Sequence, residues 1–106
     1  MVGDNAVRQK PEQWFQDRVI QRARICGFEQ IYHTFDSRHS PAGFPDLILL
    51  QDKTLIVAEL KDTGGQPSPE QYFWLLAFSR VTKHVYLWHP EDEDDIQRLF
   101  EEVRDA

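Results

Sequence analysis

The sequence predicts an α/β (α+β) fold in which helices flank a mixed central β-sheet. Segments whose apolar residues recur every three or four positions alternate with short aliphatic runs that are typical of strands. The chain has 106 residues, 41% of them hydrophobic and 12% aromatic, which is enough for one compact core. We therefore expect the element order α-β-β-β-α-β-α within a single domain spanning residues 1–106.

The first helix is predicted over Pro11–Cys26, after an N-terminus over residues 1–10 that we expect to be flexible. Proline suits the first position of a helix, and Gly27 suits its end. The apolar residues at helical spacing are Phe15, Val19, Ala23 and Cys26. A strand is predicted next, over Gln30–Asp36, because its side chains alternate. One side of it carries Ile31, His33 and Phe35, and the other carries Tyr32 and Thr34.

Two aliphatic strands follow the loop Ser37–Phe44, which contains a proline and a glycine. They are predicted over Asp46–Leu50 and Leu55–Lys61, on either side of the short turn Gln51–Thr54. This arrangement indicates a hairpin, although Asp-Lys is a weaker turn signal than Asp-Gly. Both strands are apolar on both faces near their centres, as expected for the buried middle of a sheet.

The last three predicted elements are a helix, a strand and a second helix. Ser68 suits a helix N-cap and Pro69 the first helical position, so a helix is predicted over residues 69–80. Lys83–Trp88 is an apolar strand. Residues 91–106 predict an acidic C-terminal helix, because a negative start suits the helix dipole. Its buried stripe is predicted to be Ile96, Leu99, Phe100 and Val103.

The net charge of −6, from 12 basic and 18 acidic residues, by itself disfavours a nucleic-acid partner. Residues 91–106 hold eight of the acidic and two of the basic residues, however, so residues 1–90 are neutral. We expect the acidic segment to point away from any phosphate backbone. A basic face could form from the cationic residues before position 40, which are Arg8, Lys10, Arg18, Arg22, Arg24 and Arg38.

The composition also bears on the compartment. No apolar run approaches the roughly 20 residues needed to span a bilayer, and the polar N-terminus lacks an apolar signal stretch. Cys26 is the only cysteine, so no internal disulfide can form, which agrees with a reducing cytosol. We therefore expect no membrane partner and a cytoplasmic protein of bacterial or phage origin.

Asp46, Glu59 and Lys61 are predicted to converge at one end of the hairpin. Glu59 and Lys61 are two positions apart on a strand and share a face. If Leu50 lies opposite Leu55, Asp46 lies opposite Glu59, at roughly 5 Å between Cβ atoms. Facing carboxylates repel by about 4 kcal/mol at 4 Å and an effective dielectric of 20. Selection for a stable core alone does not explain why the sequence keeps two carboxylates that repel each other.

A divalent cation would relieve that repulsion. Mg²⁺ prefers oxygen ligands and is often held by one or two carboxylates together with substrate phosphates. It would polarise a phosphodiester and lower the pKa of a bound water, and the lysine would orient or deprotonate that water. The pattern therefore predicts a Mg²⁺ site, in which Mn²⁺ is expected to substitute, and phosphodiester hydrolysis.

The same residues resemble a known signature. Gly43-Phe44-Pro45-Asp46, twelve further residues and Glu59-Leu60-Lys61 are similar to the motif of the PD-(D/E)xK nucleases. Within that superfamily the chain resembles the virus-type replication-repair nuclease (VRR-NUC) group. The further features that carry this resemblance are Glu12, the approach Ser40–Asp46 and the helix opening Ser68–Gln71. The resemblance spans residues 11–88 and implies a restriction-endonuclease-like α-β-β-β-α-β core.

The resemblance implies a catalytic set and a metal-binding set. The catalytic set is Asp46, Glu59, Lys61 and Gln71, and the metal set is Glu12, Asp46, Glu59 and Leu60, the last through its backbone carbonyl. Two of these residues have simpler explanations. Glu12 suits the first turn of a helix through the helix dipole, although it shares the inward face with Phe15 and Val19. Gln71 lies at a capping-box spacing from Ser68, and it could both cap the helix and belong to the site.

Other polar residues give weaker indications. Arg38, His39 and Ser40 precede Asp46 and are candidates for contact with DNA phosphates. The four histidines match no tight zinc pattern. His33 is expected to be a buried histidine with a hydrogen-bond partner. Gly64-Gly65 forms no complete phosphate-binding loop, and a flexible turn near the site is expected instead.

The partners follow from the second helix and from the resemblance. That helix is apolar nearly all round, so one side is left over after the other has packed on the sheet. We expect a homodimer through residues 69–80, unless the last helix covers this side. Small members of the resembling group act on branched DNA, so resolution of four-way (Holliday) junctions is the leading hypothesis. The alternatives are a nuclease for flap or linear DNA and an inactive DNA-binding or assembly module.

Overall fold

The computed structural model describes residues 11–34 and 40–106. They form an α+β fold with the predicted order of elements. The elements are helix α1 (Pro11–Ile25), strands β1 (Gln30–His33), β2 (Leu47–Gln51) and β3 (Thr54–Leu60), helix α2 (Pro69–Phe78), strand β4 (His84–Trp88), a 3₁₀ turn (Pro90–Asp92) and helix α3 (Glu93–Asp105). Several predicted C-terminal ends were too long: β1 ends at His33, α2 ends at Phe78 with Ser79 as its C-cap, and α1 and β3 each end one residue early.

The four strands form one mixed sheet in the order β1-β2-β3-β4. The pairs β1–β2 and β2–β3 are antiparallel, and β3–β4 is parallel. Leu50 lies opposite Leu55 and Ile48 opposite Val57, which confirms the predicted hairpin register. Asp52 closes the hairpin with a φ of 52°, a left-handed conformation that aspartate tolerates better than most residues.

One face of the sheet is covered by α1 and α3, and the main hydrophobic core lies there. The predicted stripe of α1 is fully buried, and Ile96 and Phe100 of α3 are buried against it. The strands contribute alternate residues to this core, as the period of two requires. They are Leu47 and Leu49 of β2, Ile56, Ala58 and Leu60 of β3, and Trp88 of β4.

The opposite face carries the other alternate residues and is covered only in part. Helix α2 packs there against β3 and β4, and Leu75 is its one buried residue. Strand β3 is buried on both faces, as predicted, but β2 is not: α2 packs mainly on β3 and β4, and Leu50 is 44% exposed. Since α3 packs with α1 on the other face, it does not cover the outer side of α2.

The charged residues of α1 are engaged by α3. Arg18 forms a two-pronged ion pair with Glu93, at 2.5 and 3.0 Å, and Arg22 bonds Gln97 and lies 3.5 Å from Glu93. Glu93 therefore offsets part of the charge of these two arginines, whose side chains stay 41% and 30% exposed. The basic face suggested for the residues before position 40 stays a prediction. Within residues 11–34 and 40–106, no helix is both long and apolar enough to cross a membrane.

Candidate active site

Asp46, Glu59 and Lys61 lie at one end of the hairpin, on the sheet face that α2 partly covers. Asp46 immediately precedes β2 and Lys61 immediately follows β3. The three line one pocket of about 190 Å³. The other described residues of its wall are Gln13, Gln16, Thr34, Leu60 and Gln71. The predicted convergence is thus present in the structure.

Asp46 is held by the strands on either side of it. Its Oδ2 accepts a hydrogen bond from the Leu60 backbone N–H at 2.9 Å, and its backbone carbonyl accepts one from the Thr34 N–H at 3.0 Å. The Thr34 hydroxyl also donates to the Pro45 carbonyl at 2.9 Å. The carboxylate is therefore aimed across β3 by contacts with both neighbouring strands.

Glu59 is a buried carboxylate with incomplete partners. The residue is 1% exposed, and its Oε1 makes no hydrogen bond to any described residue. Its Oε2 lies 3.7 Å from the Lys61 ammonium. Buried polar atoms are nearly always hydrogen-bonded, and an unpaired one costs about 1–3 kcal/mol or more when charged. The fold therefore maintains at this position a group that destabilises it.

The electrostatics of Glu59 and Asp46 favour a proton shared between the two carboxylates when no metal is present. Burial, and then the negative charge of Asp46, raise the pKa of Glu59 to about 8, although Lys61 opposes the shift. A side-chain hydrogen bond to Asp46 adds to the rise. A proton bound to Glu59 would be shared with the Asp46 carboxylate. A cation that replaced this proton would bind both carboxylates.

The residues present fit a hard divalent cation. Two carboxylates on adjoining strands, one with an oxygen that lacks a partner, match the way in which proteins hold Mg²⁺. Residues 11–34 and 40–106 contain no cluster of three or more histidine, cysteine or acidic side chains that could hold a metal. Leu60 lines the pocket. Glu12 lies in α1 as predicted, but its side chain is outside the described part of the structure.

Gln71 caps α2 and also lines the pocket. The Ser68 N–H donates to Gln71 Oε1 at 2.8 Å, and the Gln71 N–H donates to the Ser68 hydroxyl at 3.2 Å. The capping-box explanation is therefore confirmed. Because the cap uses the carbonyl end of the side chain, the amide nitrogen is the end that can face a substrate.

Gly43 sets the position of this helix start. Its φ is +81°, and a Cβ there would lie 2.5 Å from the Glu70 carbonyl carbon and 2.7 Å from the Gln71 nitrogen. The loop is also fixed to α2 by the Trp74 indole, which donates to the Ala42 carbonyl at 3.1 Å and packs edge-on against Phe44. Glycine is thus required by both backbone conformation and close approach.

Three residues that no sequence pattern assigned to the site also line the pocket: Gln13, Gln16 and Thr34. Gln16 is 8% exposed, and its Nε2 lies 3.4 Å from His33 Nδ1. His33 therefore has the partner expected for it, but it is half-buried rather than buried. A buried amide on the helix face of Phe15 and Val19 is a signal that the sequence does contain, because such a group needs a polar neighbour.

Further depressions extend the pocket towards β1. The first is lined by Ser40, Phe44 and Gly43 together with Asp46 and Gln71. The next is apolar, has a volume of about 330 Å³ and includes the half-exposed Tyr32. Ser40 therefore lies beside the site, and its contact with DNA stays a prediction. Arg38 and His39, the other two such predictions, lie outside the described residues.

Comparisons of this chain with protein-family models, with curated proteins and with solved structures found no match. The chemistry of the site has therefore to be derived from the geometry of its residues.

Proposed function

We propose that this chain is a metal-dependent DNA endonuclease of the VRR-NUC type, with its site at Asp46, Glu59 and Lys61. The observation that carries the proposal is the Glu59 carboxylate, which is buried, lacks a partner at one oxygen and faces a second carboxylate beside an ammonium group. Such a group costs stability, so a functional reason for keeping it is favoured.

Each residue has a distinct role in this proposal. Asp46 and Glu59, with the Leu60 carbonyl, would hold a Mg²⁺ or Mn²⁺ ion, which supplies Lewis-acid stabilisation of the phosphodiester and a more acidic water. Lys61 orients the attacking water, accepts its proton or neutralises charge that develops on phosphate. The Gln71 amide donates to a phosphate oxygen or to that water, and Glu12 is a candidate further ligand.

The proposed substrate is branched DNA, in particular four-way junctions, cut by a homodimer. The described site residues offer no base-reading module, so recognition would depend on backbone charge and shape. The exposed outer side of α2 supports the dimer, because Tyr72, Phe73 and Leu76 are 56%, 74% and 49% exposed. An isologous contact through this side would place two equivalent sites on one junction.

The substrate proposal is tested by cleavage of four labelled DNAs of matched sequence, with Mg²⁺ or Mn²⁺: a four-way junction, a flap, a nicked duplex and a linear duplex. We expect the junction to be cut fastest. Lys61→Ala should lose at least about 100-fold in rate while binding the junction as tightly as wild type. Equal cutting of all four would contradict junction specificity. If wild type binds but never cuts, the protein is a DNA-binding module.

The dimer is tested by Phe73→Asp, which places a charge on the outer side of α2 without disturbing a buried residue. We expect a dimer for wild type and a monomer for the variant in analytical ultracentrifugation, because an unpaired charge in an apolar interface is costly. Val81→Asp is the matched control, since Val81 is also 74% exposed but lies beyond the helix. A monomeric wild type would contradict the dimer.

A further inference from the structure

The loop that follows Lys61 folds back onto it. The Gly65 N–H donates to the Asp62 carbonyl at 2.8 Å, which closes a tight turn directly after the lysine. A Cβ at Gly65 would lie 3.0 Å from Lys61 Cβ and 3.0 Å from the Asp62 oxygen. The Gly65 backbone therefore lies against the stem of the Lys61 side chain, and a methyl group would fit there only if its neighbours moved by a few tenths of an ångström.

His89 holds this turn in place from the end of β4. Its Nε2 lies 2.7 Å from the Gly65 carbonyl oxygen. Because a carbonyl only accepts, the histidine carries a proton on Nε2 and donates it. Asp92 fixes the histidine in turn, since its Oδ2 accepts from the His89 backbone N–H at 2.9 Å and lies 3.6 Å from His89 Nδ1. The imidazole is mostly buried, at 17% exposure.

The end of β4 thus fixes Lys61 twice. The Trp88 carbonyl accepts the Lys61 backbone N–H at 2.9 Å, and the next residue, His89, fixes the turn that covers the lysine stem. A lysine side chain has four rotatable bonds and takes many rotamers when it is unconstrained. Here its ammonium is held 3.7 Å from Glu59, and its side chain is only 18% exposed.

We propose that His89 is a positioning residue for Lys61, acting through the Gly65 carbonyl, with Asp92 orienting its imidazole. The proposal rests on the proposed nuclease function, because it assigns Lys61 a catalytic role that requires a fixed ammonium. His89 itself touches neither carboxylate. Its contribution is to exclude lysine rotamers that would carry the ammonium out of the pocket.

The test compares His89→Leu, which removes the donor, with His89→Gln, whose amide can still donate to the Gly65 carbonyl. Thr63→Val is the matched control, because the Thr63 hydroxyl joins the same loop to Glu91 at 3.1 Å through a separate hydrogen bond. Gly65→Ala is a second variant that displaces the lysine stem directly. Melting temperatures identify any variant that fails to fold.

The first readout is cleavage of saturating junction DNA. We expect His89→Leu and Gly65→Ala to reduce the single-turnover rate by about 10- to 100-fold, the scale of a displaced catalytic group. Junction affinity, measured with Ca²⁺ in place of Mg²⁺, should be unchanged. His89→Gln should recover most of the rate, and Thr63→Val should keep the wild-type rate. A merely structural histidine would lower the melting temperature and leave the rate of the folded protein unchanged.

The second readout needs neither metal nor DNA. Acylation of lysine amines in the metal-free protein is followed by mass spectrometry, with the exposed Lys53 as internal reference. We expect the Lys61 amine to react several-fold faster in His89→Leu than in wild type. Unchanged labelling, or an unchanged cleavage rate in a protein that cuts DNA, overturns the inference. If wild type cuts nothing, the proposed function has failed, and the labelling still reports whether His89 restrains Lys61.

Discussion

Replacing Glu59 with glutamine should stabilise the metal-free protein at pH 8 while it abolishes DNA cleavage. In the folded chain this carboxyl is buried beside Asp46, and its pKa is raised from an ordinary 4.5 to about 8. Deprotonation therefore leaves a buried negative charge next to another one. Glutamine keeps the shape of the protonated acid and has no charge to lose, so the variant avoids this cost.

The sign of the pH dependence follows from the raised pKa. The Glu59 carboxylate binds a proton more tightly in the folded state than in the unfolded state. The stability that this proton contributes is therefore complete below about pH 4.5 and is lost as the pH rises through 8. We expect wild type to lose stability relative to Glu59→Gln across this window, by on the order of 3 kcal/mol at the alkaline end.

Urea unfolding of both proteins in EDTA, from pH 5 to pH 9, measures this difference. Mg²⁺ should also raise the melting temperature of wild type, because it binds the folded state, and leave that of the variant unchanged. Glu93→Gln is the control of opposite sign, since Arg18 lowers the pKa of Glu93 and that acid stabilises the fold only when charged. A wild type that is no less stable than Glu59→Gln at pH 9 would contradict the buried repulsion.

Gly43→Ala should be the most destabilising single methyl addition in the loop before Asp46. The new Cβ would meet the backbone of Glu70 and Gln71 at 2.5 and 2.7 Å, and backbone atoms cannot rotate away as a flexible side chain can. We expect a loss of about 3 kcal/mol, from overpacking and from the left-handed φ together. Cleavage should fall as well, because the Gln71 end of the pocket must move.

Gly27→Ala measures the cost of the left-handed backbone without a steric clash, and so separates the two causes. Gly27 also has a left-handed φ, of +95°, but a Cβ there would meet nothing within 4 Å. Its substitution should cost only about 1 kcal/mol and leave cleavage intact. Thermal unfolding and the junction assay compare the two variants. Equal losses of stability would show that the close approach of the loop to α2 contributes nothing.

Local patterns were sufficient to predict the elements and the hairpin register. The register followed because a short turn joins two strands whose aliphatic residues must pair, and a slip by one residue would reverse their faces. Asp46 and Glu59 then had to meet. The capping box at Ser68 and Gln71 was equally local, since both of its hydrogen bonds lie within one helical turn.

The contacts that escaped prediction join residues far apart in the chain. The sequence does not indicate the partner of Arg18, because Glu93 lies 75 positions further along the chain and meets it only when α3 packs against α1. His89 showed no site pattern, because its contact with Gly65 exists only once β3 and β4 are neighbours. The partial cover of β2 depends on where α2 crosses the sheet, which helix periodicity does not encode.

Binding of Mn²⁺, followed by electron paramagnetic resonance, tests the central metal site most directly. Wild type should bind Mn²⁺, and Mg²⁺ should displace the bound Mn²⁺. The variants Asp46→Asn and Glu59→Gln should not bind Mn²⁺. Asp94→Asn, which removes an exposed acid of α3, should bind as wild type does. If wild type binds no Mn²⁺ at millimolar concentrations, or if the Asp46 and Glu59 variants bind it equally well, the two carboxylates do not form a metal site.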